Sequence, residues 1–180
     1  FHDARFGPIA WFEGRVLLQF RGEGLRQWRD GVWSLLDGPD LTRRLEAMVA
    51  TDDHGLILAT QQGPWYRFDG DRFAPLPHAE AIPFRESTTS ALFLGSGRVA
   101  ITTNLGKVVL YDLHTRHAEV VDVSSGFIPE GALSRRGDLL FVDGLGAHVM
   151  RWPARWRMVR AGLAGTVHRV IAIGGEVYAL

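Results

Sequence analysis

His114 and His117 are the only close histidine pair in the chain. Two imidazoles at this spacing can share a metal on one helix face, and zinc then needs a third ligand close by. Here the pair falls in or beside a hairpin turn and no third ligand stands near it in the sequence, so solvated turn histidines are expected. Asp52-Asp53-His54 and Asp69-Gly70-Asp71 cluster carboxylates that would attract Ca²⁺ in a longer ligand loop. The second falls short of that loop, and carboxylates that accept hydrogen bonds from their own backbone explain both clusters as turns. Ser124, Ser125 and Ser134 have no G-x-S-x-G context. A catalytic triad is defined by geometry, which scattered Ser, His and Asp residues do not supply. Gly22-Glu23-Gly24 and Gly144-Leu145-Gly146 do not open a helix, which removes the phosphate cradle. There is no Cys, which excludes disulfides, thiol nucleophiles and thiolate metal sites. No catalytic residue, metal or cofactor is expected.

The composition points the same way. Of 180 residues, 46% are apolar and 22% charged, as in an ordinary globular domain. Six Trp and ten Phe require burial, which argues against disorder. The net charge is zero, so there is no basic field for a phosphate backbone and no nucleic-acid partner is expected. Lys107 is the single lysine among 20 basic residues, a bias attributed to codon composition rather than to guanidinium chemistry. No apolar run approaches the roughly 18 residues of a membrane span.

The elements that would position a site appear as a repeat. Gly14, Gly55, Gly97, Gly137 and Gly175 each precede a short apolar run, at spacings of 41, 42, 40 and 38 residues. A second glycine follows at Gly24, Gly63, Gly106 and Gly146, then an aromatic at Trp28, Phe68, Tyr111 and Trp152, then a turn. Each unit thereby offers four short strands. The second is almost continuously apolar, as in Leu139-Leu140-Phe141-Val142, which implies burial on both faces. The fourth strands are the most polar, as at an outer rim. A period near 40 with several strands is the size of a propeller blade. A β-sandwich also has short strands but does not demand one recurring landmark set.

The expected fold is all-β: about four and a half four-stranded blades of a larger β-propeller ring, in one partial domain over residues 1–180. The blades fall at about 8–40, 44–78, 88–122 and 129–161, with an incomplete one at 166–180. The best helix candidate, Leu41 to Met48 with Asp40 as N-cap, is expected to be an irregular link between blades instead. Rings close with roughly four to eight blades. An open one would leave two apolar flanks bare, so further blades of a longer natural chain are expected.

Residues 44–73 carry a closer pattern: Met48-Val49, Asp52-Asp53-His54-Gly55, Ile57-Leu58-Ala59-Thr60, Gly63 and Tyr66-Arg67-Phe68-Asp69-Gly70. This resembles the two-component regulator propeller repeat, with its usual Trp and the glycine before Thr replaced. The third unit keeps Gly97, Thr102-Thr103, Gly106 and Tyr111-Asp112, and the fourth Gly137 and Gly146. The resemblance implies a periplasmic sensor domain of a membrane-anchored bacterial signalling protein, with a histidine kinase or diguanylate cyclase output elsewhere. It transfers no catalytic residue, because the motif's glycines turn and its aromatics pack.

In propellers the loops joining second to third strands share one rim. Arg21, Glu23, Gln61, Gln62, Asn104 and Asp143 fall in that group and are the candidate ligand-binding residues. The expected function is non-catalytic recognition of a small-molecule or protein signal, with the remaining blades, and in one arrangement a second copy, as further partners. The alternatives are a lactonase- or lyase-type propeller enzyme with an axial site, and a pure interaction scaffold. The latter lacks the recurring Trp-Asp and Gly-His signatures of WD repeats.

Overall fold

The computed structural model describes residues 6–41, 45–62, 64–76 and 86–123. Beyond them it describes the backbone of six strands within 131–179, together with the side chain of Leu139. Every described element is a β-strand. The chain divides into two compact units, Phe1–Thr88 and Thr89–Leu180.

The first unit holds two four-stranded sheets. One is β1 (Phe6–Phe12), β2 (Arg15–Phe20), β3 (Gly24–Arg29) and β4 (Val32–Leu35), paired in chain order. The other is β5 (Leu45–Ala50), β6 (Leu56–Thr60), β7 (Tyr66–Phe68) and β8 (Phe73–Pro75), also in chain order. Of the segment weighed as helix or link, residues 42–44 lie outside the described residues and Leu45 to Met48 is strand, its chain pairing with β6. Burial of Leu45 against the neighbouring sheet outweighs the weak helical pattern.

The second unit repeats the plan. It contains β9 (Thr88–Gly95) save its first residue, β10 (Arg98–Thr103), β11 (Lys107–Asp112) and β12 (His117–Asp122), in the order β12-β11-β10-β9. Next come β13 (Gly131–Leu133), β14 (Asp138–Asp143), β15 (Gly146–Arg151) and β16 (Arg155–Val159). A hairpin of β17 (Val170–Ile173) and β18 (Glu176–Ala179) follows. Consecutive strands neighbour one another in every sheet, the up-and-down order of a propeller blade.

Three hairpins close through two-residue turns in which both residues have positive φ: Glu13-Gly14, Asp30-Gly31 and Ser96-Gly97. Such turns follow the right-handed twist of the flanking strands. Gly55, aligned with Gly14 and Gly97 by sequence, does something else. It ends a five-residue loop, 51–55, closed by the Thr51 amide donating to the Gly55 carbonyl at 2.8 Å. A Cβ there would lie 2.7 Å from Arg67 Nε, so a larger residue would have to displace the Arg67 side chain. The different loop shifts the strand by one residue. Leu17, third after Gly14, faces the following sheet, whereas Leu56 and Leu58, first and third after Gly55, face the preceding one. One residue of slip exchanges the two faces of a strand.

The core of the first unit lies between its sheets: Phe12, Leu17 and Leu25 meet Leu45, Leu56, Leu58 and Phe68, with Leu41 beside them. Two polar side chains bridge the same seam. The Arg15 guanidinium donates to Gln27 Oε1 and to the Gly70 carbonyl, each at 2.8 Å, and sits 5.5 Å from the Phe68 ring centre. Gln19, fully buried, donates from Nε2 to the Leu41 carbonyl at 3.0 Å and accepts the Leu45 amide at 2.9 Å. In the second unit Ala100, Val108 and Leu110 pack with Leu139.

The Asp69-Gly70-Asp71 cluster is turn chemistry, whereas in the other Asp53 pairs with Arg67 at 2.9 Å. Asp69 Oδ1 accepts the amides of Arg72 at 2.7 Å and Asp71 at 3.0 Å. Asp112 Oδ1 does the same for His114 and Thr115, both at 2.9 Å. The Arg72 amide first, then that of Asp71, holds the Asp69 carboxyl below its usual range. A carboxylate with a depressed folded-state pKa adds stability above its unfolded pKa and loses it as pH falls through the folded value. Asp69→Ala is therefore expected to melt below the parent at pH 7. The gap should close as pH drops below about 4, the ordinary aspartate range. Thermal melts from pH 7 to pH 2 check this; a gap that stays constant with pH would remove the carboxylate from the turn's energetics.

Candidate functional site

The six rim candidates stand at second-to-third strand junctions. Arg21 and Glu23 occupy the β2–β3 turn, closed by the Glu23 amide donating to the Phe20 carbonyl at 3.0 Å. Gln61 and Gln62 follow β6, Asn104 follows β10, and Asp143 is the last residue of β14, paired with Gly146. The first four belong to one unit and the last two to the other.

Their surroundings differ. Glu23 is engaged by Arg26, its Oε2 2.9 Å from the guanidinium Nη2. This i,i+3 pair ties up one of the six. Arg21 and Gln62 are exposed, and among the described residues their side chains have no partner. Gln61 is half-buried and its carbonyl accepts the Thr88 amide at 2.9 Å.

The loops that carry these groups are held from beneath. Thr60, the last residue of β6, donates its hydroxyl to the Pro64 carbonyl at 3.0 Å. Trp65, 1% exposed, donates its indole N–H to Thr88 Oγ1 at 3.2 Å, and its carbonyl accepts the Leu76 amide at 2.9 Å. Thr103, the last residue of β10, accepts the Lys107 amide on its hydroxyl at 3.2 Å. Both threonines thus clamp a residue four positions on, across the turn. They are the threonines of the repeat pattern at residues 44–73 and in the third unit. The sequence marks them as a motif, whereas Trp65 and Thr88, 23 positions apart, meet only in the fold. Fixed loops offer polar groups without paying ordering entropy on binding.

The two histidines stand in the β11–β12 turn and at the start of β12. The ring of His114 packs over Gly97, where a Cβ would strike it, and His117 begins β12. Among the described residues no group of three His, Asp or Glu side chains is placed to hold a metal ion. Ser124, Ser125, Ser134 and Gly144 lie outside the described residues.

Up-and-down four-stranded sheets that recur about every 40 residues, packed flank to flank within each unit, define a β-propeller architecture. No family model matches the chain, and no curated protein matches it. Solved structures do. The chain is similar to the extracellular domain of BT4673 from B. thetaiotaomicron, at 16% identity and a TM-score of 0.75, over 95% of this chain and 25% of that one. It is similar to virginiamycin B lyase from Staphylococcus aureus, at 11% identity and a TM-score of 0.79, over 99% of this chain and 64% of that one. The WD40 propeller domain of Doa1 gives 12% identity and a TM-score of 0.68, over 95% of this chain and 58% of that one. At these identities the likeness is one of fold. The chain spans about a quarter of the BT4673 domain and less than two thirds of the others.

Proposed function

We propose that this chain is a non-catalytic recognition propeller of a bacterial signal-transduction protein. In this reading it is the extracytoplasmic part of a membrane-anchored sensor whose output, a histidine kinase or diguanylate cyclase, lies outside these residues. The observation that carries the reading is the clamped β6–β7 loop, which holds Gln61 and Gln62 on a fixed frame of Thr60, Pro64, Trp65 and Thr88. Two carboxamides, with Arg21 at the corresponding strand junction of the preceding sheet, suit a polar ligand or a protein loop rather than bond-breaking chemistry. The likeness to BT4673, described as the extracellular domain of a one-component or hybrid two-component system, supports the sensory context. A second reading, a lyase-type enzyme, draws on the virginiamycin B lyase likeness.

The test is an NMR screen of the chain against polar metabolites. Amide shifts should gather at 21–24 and 60–62. Gln61→Ala with Gln62→Ala should weaken binding about tenfold, two hydrogen bonds' worth, without lowering the melting temperature. Shifts confined to the opposite strand ends would remove the rim from the function. Turnover of a bound compound would move the assignment to the enzyme.

A further inference from the structure

The β9–β12 sheet carries a small pocket at the end of its strands opposite the Asn104 turn, with a volume of about 190 Å³. Strand register builds its polar side. Arg98, Asp112 and His117 lie side by side in one cross-strand row, and Ala100, Leu110 and Glu119 in the next. Leu94 and Leu110 supply the apolar side, and both pack with the core that contains Leu139.

The charges in the pocket are unequal. Arg98 Nε lies 3.6 Å from Asp112 Oδ2, so the one guanidinium is already answered by a carboxylate. Asp112 is fixed by the two turn amides on its other oxygen, those of His114 and Thr115. Glu119 is a second carboxylate, exposed, and makes no hydrogen bond or ion pair among the described residues. Among the described lining residues one guanidinium faces two carboxylates, which leaves the Glu119 charge unanswered beside leucine. The volume is below the roughly 300–1,000 Å³ of drug-sized sites, which restricts the guest to a few heavy atoms.

We propose that this pocket binds a small organic cation, with an ammonium head at Glu119 and a short apolar stem on Leu94 and Leu110. The inference is independent of the rim, because the two sites lie at opposite ends of the strands.

Three probes with the same branched stem isolate the head group: isoamylamine, isoamyl alcohol and isovalerate, each titrated into the ¹⁵N-labelled chain. The amine is expected to shift the amides of Arg98 and of residues 110–119, and to bind about fivefold tighter than the alcohol, the scale of one exposed ion pair. Glu119→Gln should erase that preference and leave alcohol binding unchanged. The side chain is exposed, so the rest of the spectrum should stay in place. In the parent chain the preference should also fall as salt rises. Equal binding of amine and alcohol would overturn the proposal, as would a preference insensitive to both Glu119→Gln and salt. Tightest binding of isovalerate would make Arg98 and His117 an anion site instead. Absence of shifts with all three probes would remove the site.

Discussion

Gln19→Leu is expected to destabilise the first unit by about 2–6 kcal/mol, because two buried backbone groups lose their partners and each costs about 1–3 kcal/mol when left unsatisfied. Gln19 is fully buried on β2, yet its amide serves the segment leading to the next sheet: the Leu41 carbonyl and the Leu45 amide. Leucine nearly preserves the volume and adds apolar contact, so the predicted loss separates the hydrogen-bonding role from packing. The neighbouring strand is fitted to the same side chain, since a Cβ on Gly7 would strike the Gln19 amide. Urea unfolding followed by tryptophan fluorescence measures the change, and hydrogen exchange locates it: the Leu45 amide should lose protection ahead of Leu58. A shift below about 0.5 kcal/mol, within the range of neutral surface substitutions, would mean that water or a rearranged segment replaces the amide.

Gln19 also marks where sequence reasoning stops. The blades were legible because a second strand squeezed between two sheets is almost continuously apolar, as β6 is from Leu56 to Ala59. The glycine landmarks sit in turns that demand positive φ at Gly14 and Gly97, which few other residues tolerate. A buried glutamine inside such a strand has no local signature, because its partners lie 22 and 26 positions away. Gly55 looked equivalent to Gly14, but loop length, which the landmark does not encode, set the facing of β6. Strand β4 was expected to be polar at the outer rim; it is exposed throughout, yet its residues are Val32, Trp33, Ser34 and Leu35. For the candidate site, topology alone placed all six residues at second-to-third strand junctions. Which of them are left available depends on partners such as Arg26, and the pocket at Glu119 depends on cross-strand rows that exist only once register is set.

The apolar character of β4 leads to the second large effect. On the face of β1–β4 turned away from β5–β8, strand register aligns Trp11, Val16, Trp28 and Trp33 in one row and Ile9, Leu18, Arg26 and Leu35 in another, with Phe6 opposite Phe20. Trp11 is 69% exposed, Ile9 65%, and Phe6 and Leu35 54%. The rings already order one another: Phe20 meets Phe6 at 5.2 Å and Trp33 at 5.8 Å, both edge to face, and Arg26 lies over Phe20 at 5.2 Å. A contiguous apolar face of this extent is rare on a soluble monomer and marks a surface made to be covered. The repeat says by what. The corresponding face of the next sheet presents Leu56, Leu58 and Phe68, and a four-stranded sheet covers it. The 180-residue chain alone is therefore expected to self-associate at micromolar concentration through this face, a second copy standing in for a sheet of the same kind. Trp11→Lys with Leu35→Lys should weaken that association more than tenfold, since each replaces an apolar contact worth about 1.5–3 kcal/mol with a charge that must be desolvated. Both side chains point away from the unit's core, so the melting temperature of the variant monomer should stay near that of the parent. Sedimentation equilibrium decides the matter. A parent chain that remains a monodisperse monomer at 100 µM would show that the face is tolerated bare, and the argument from the repeat would lose its force.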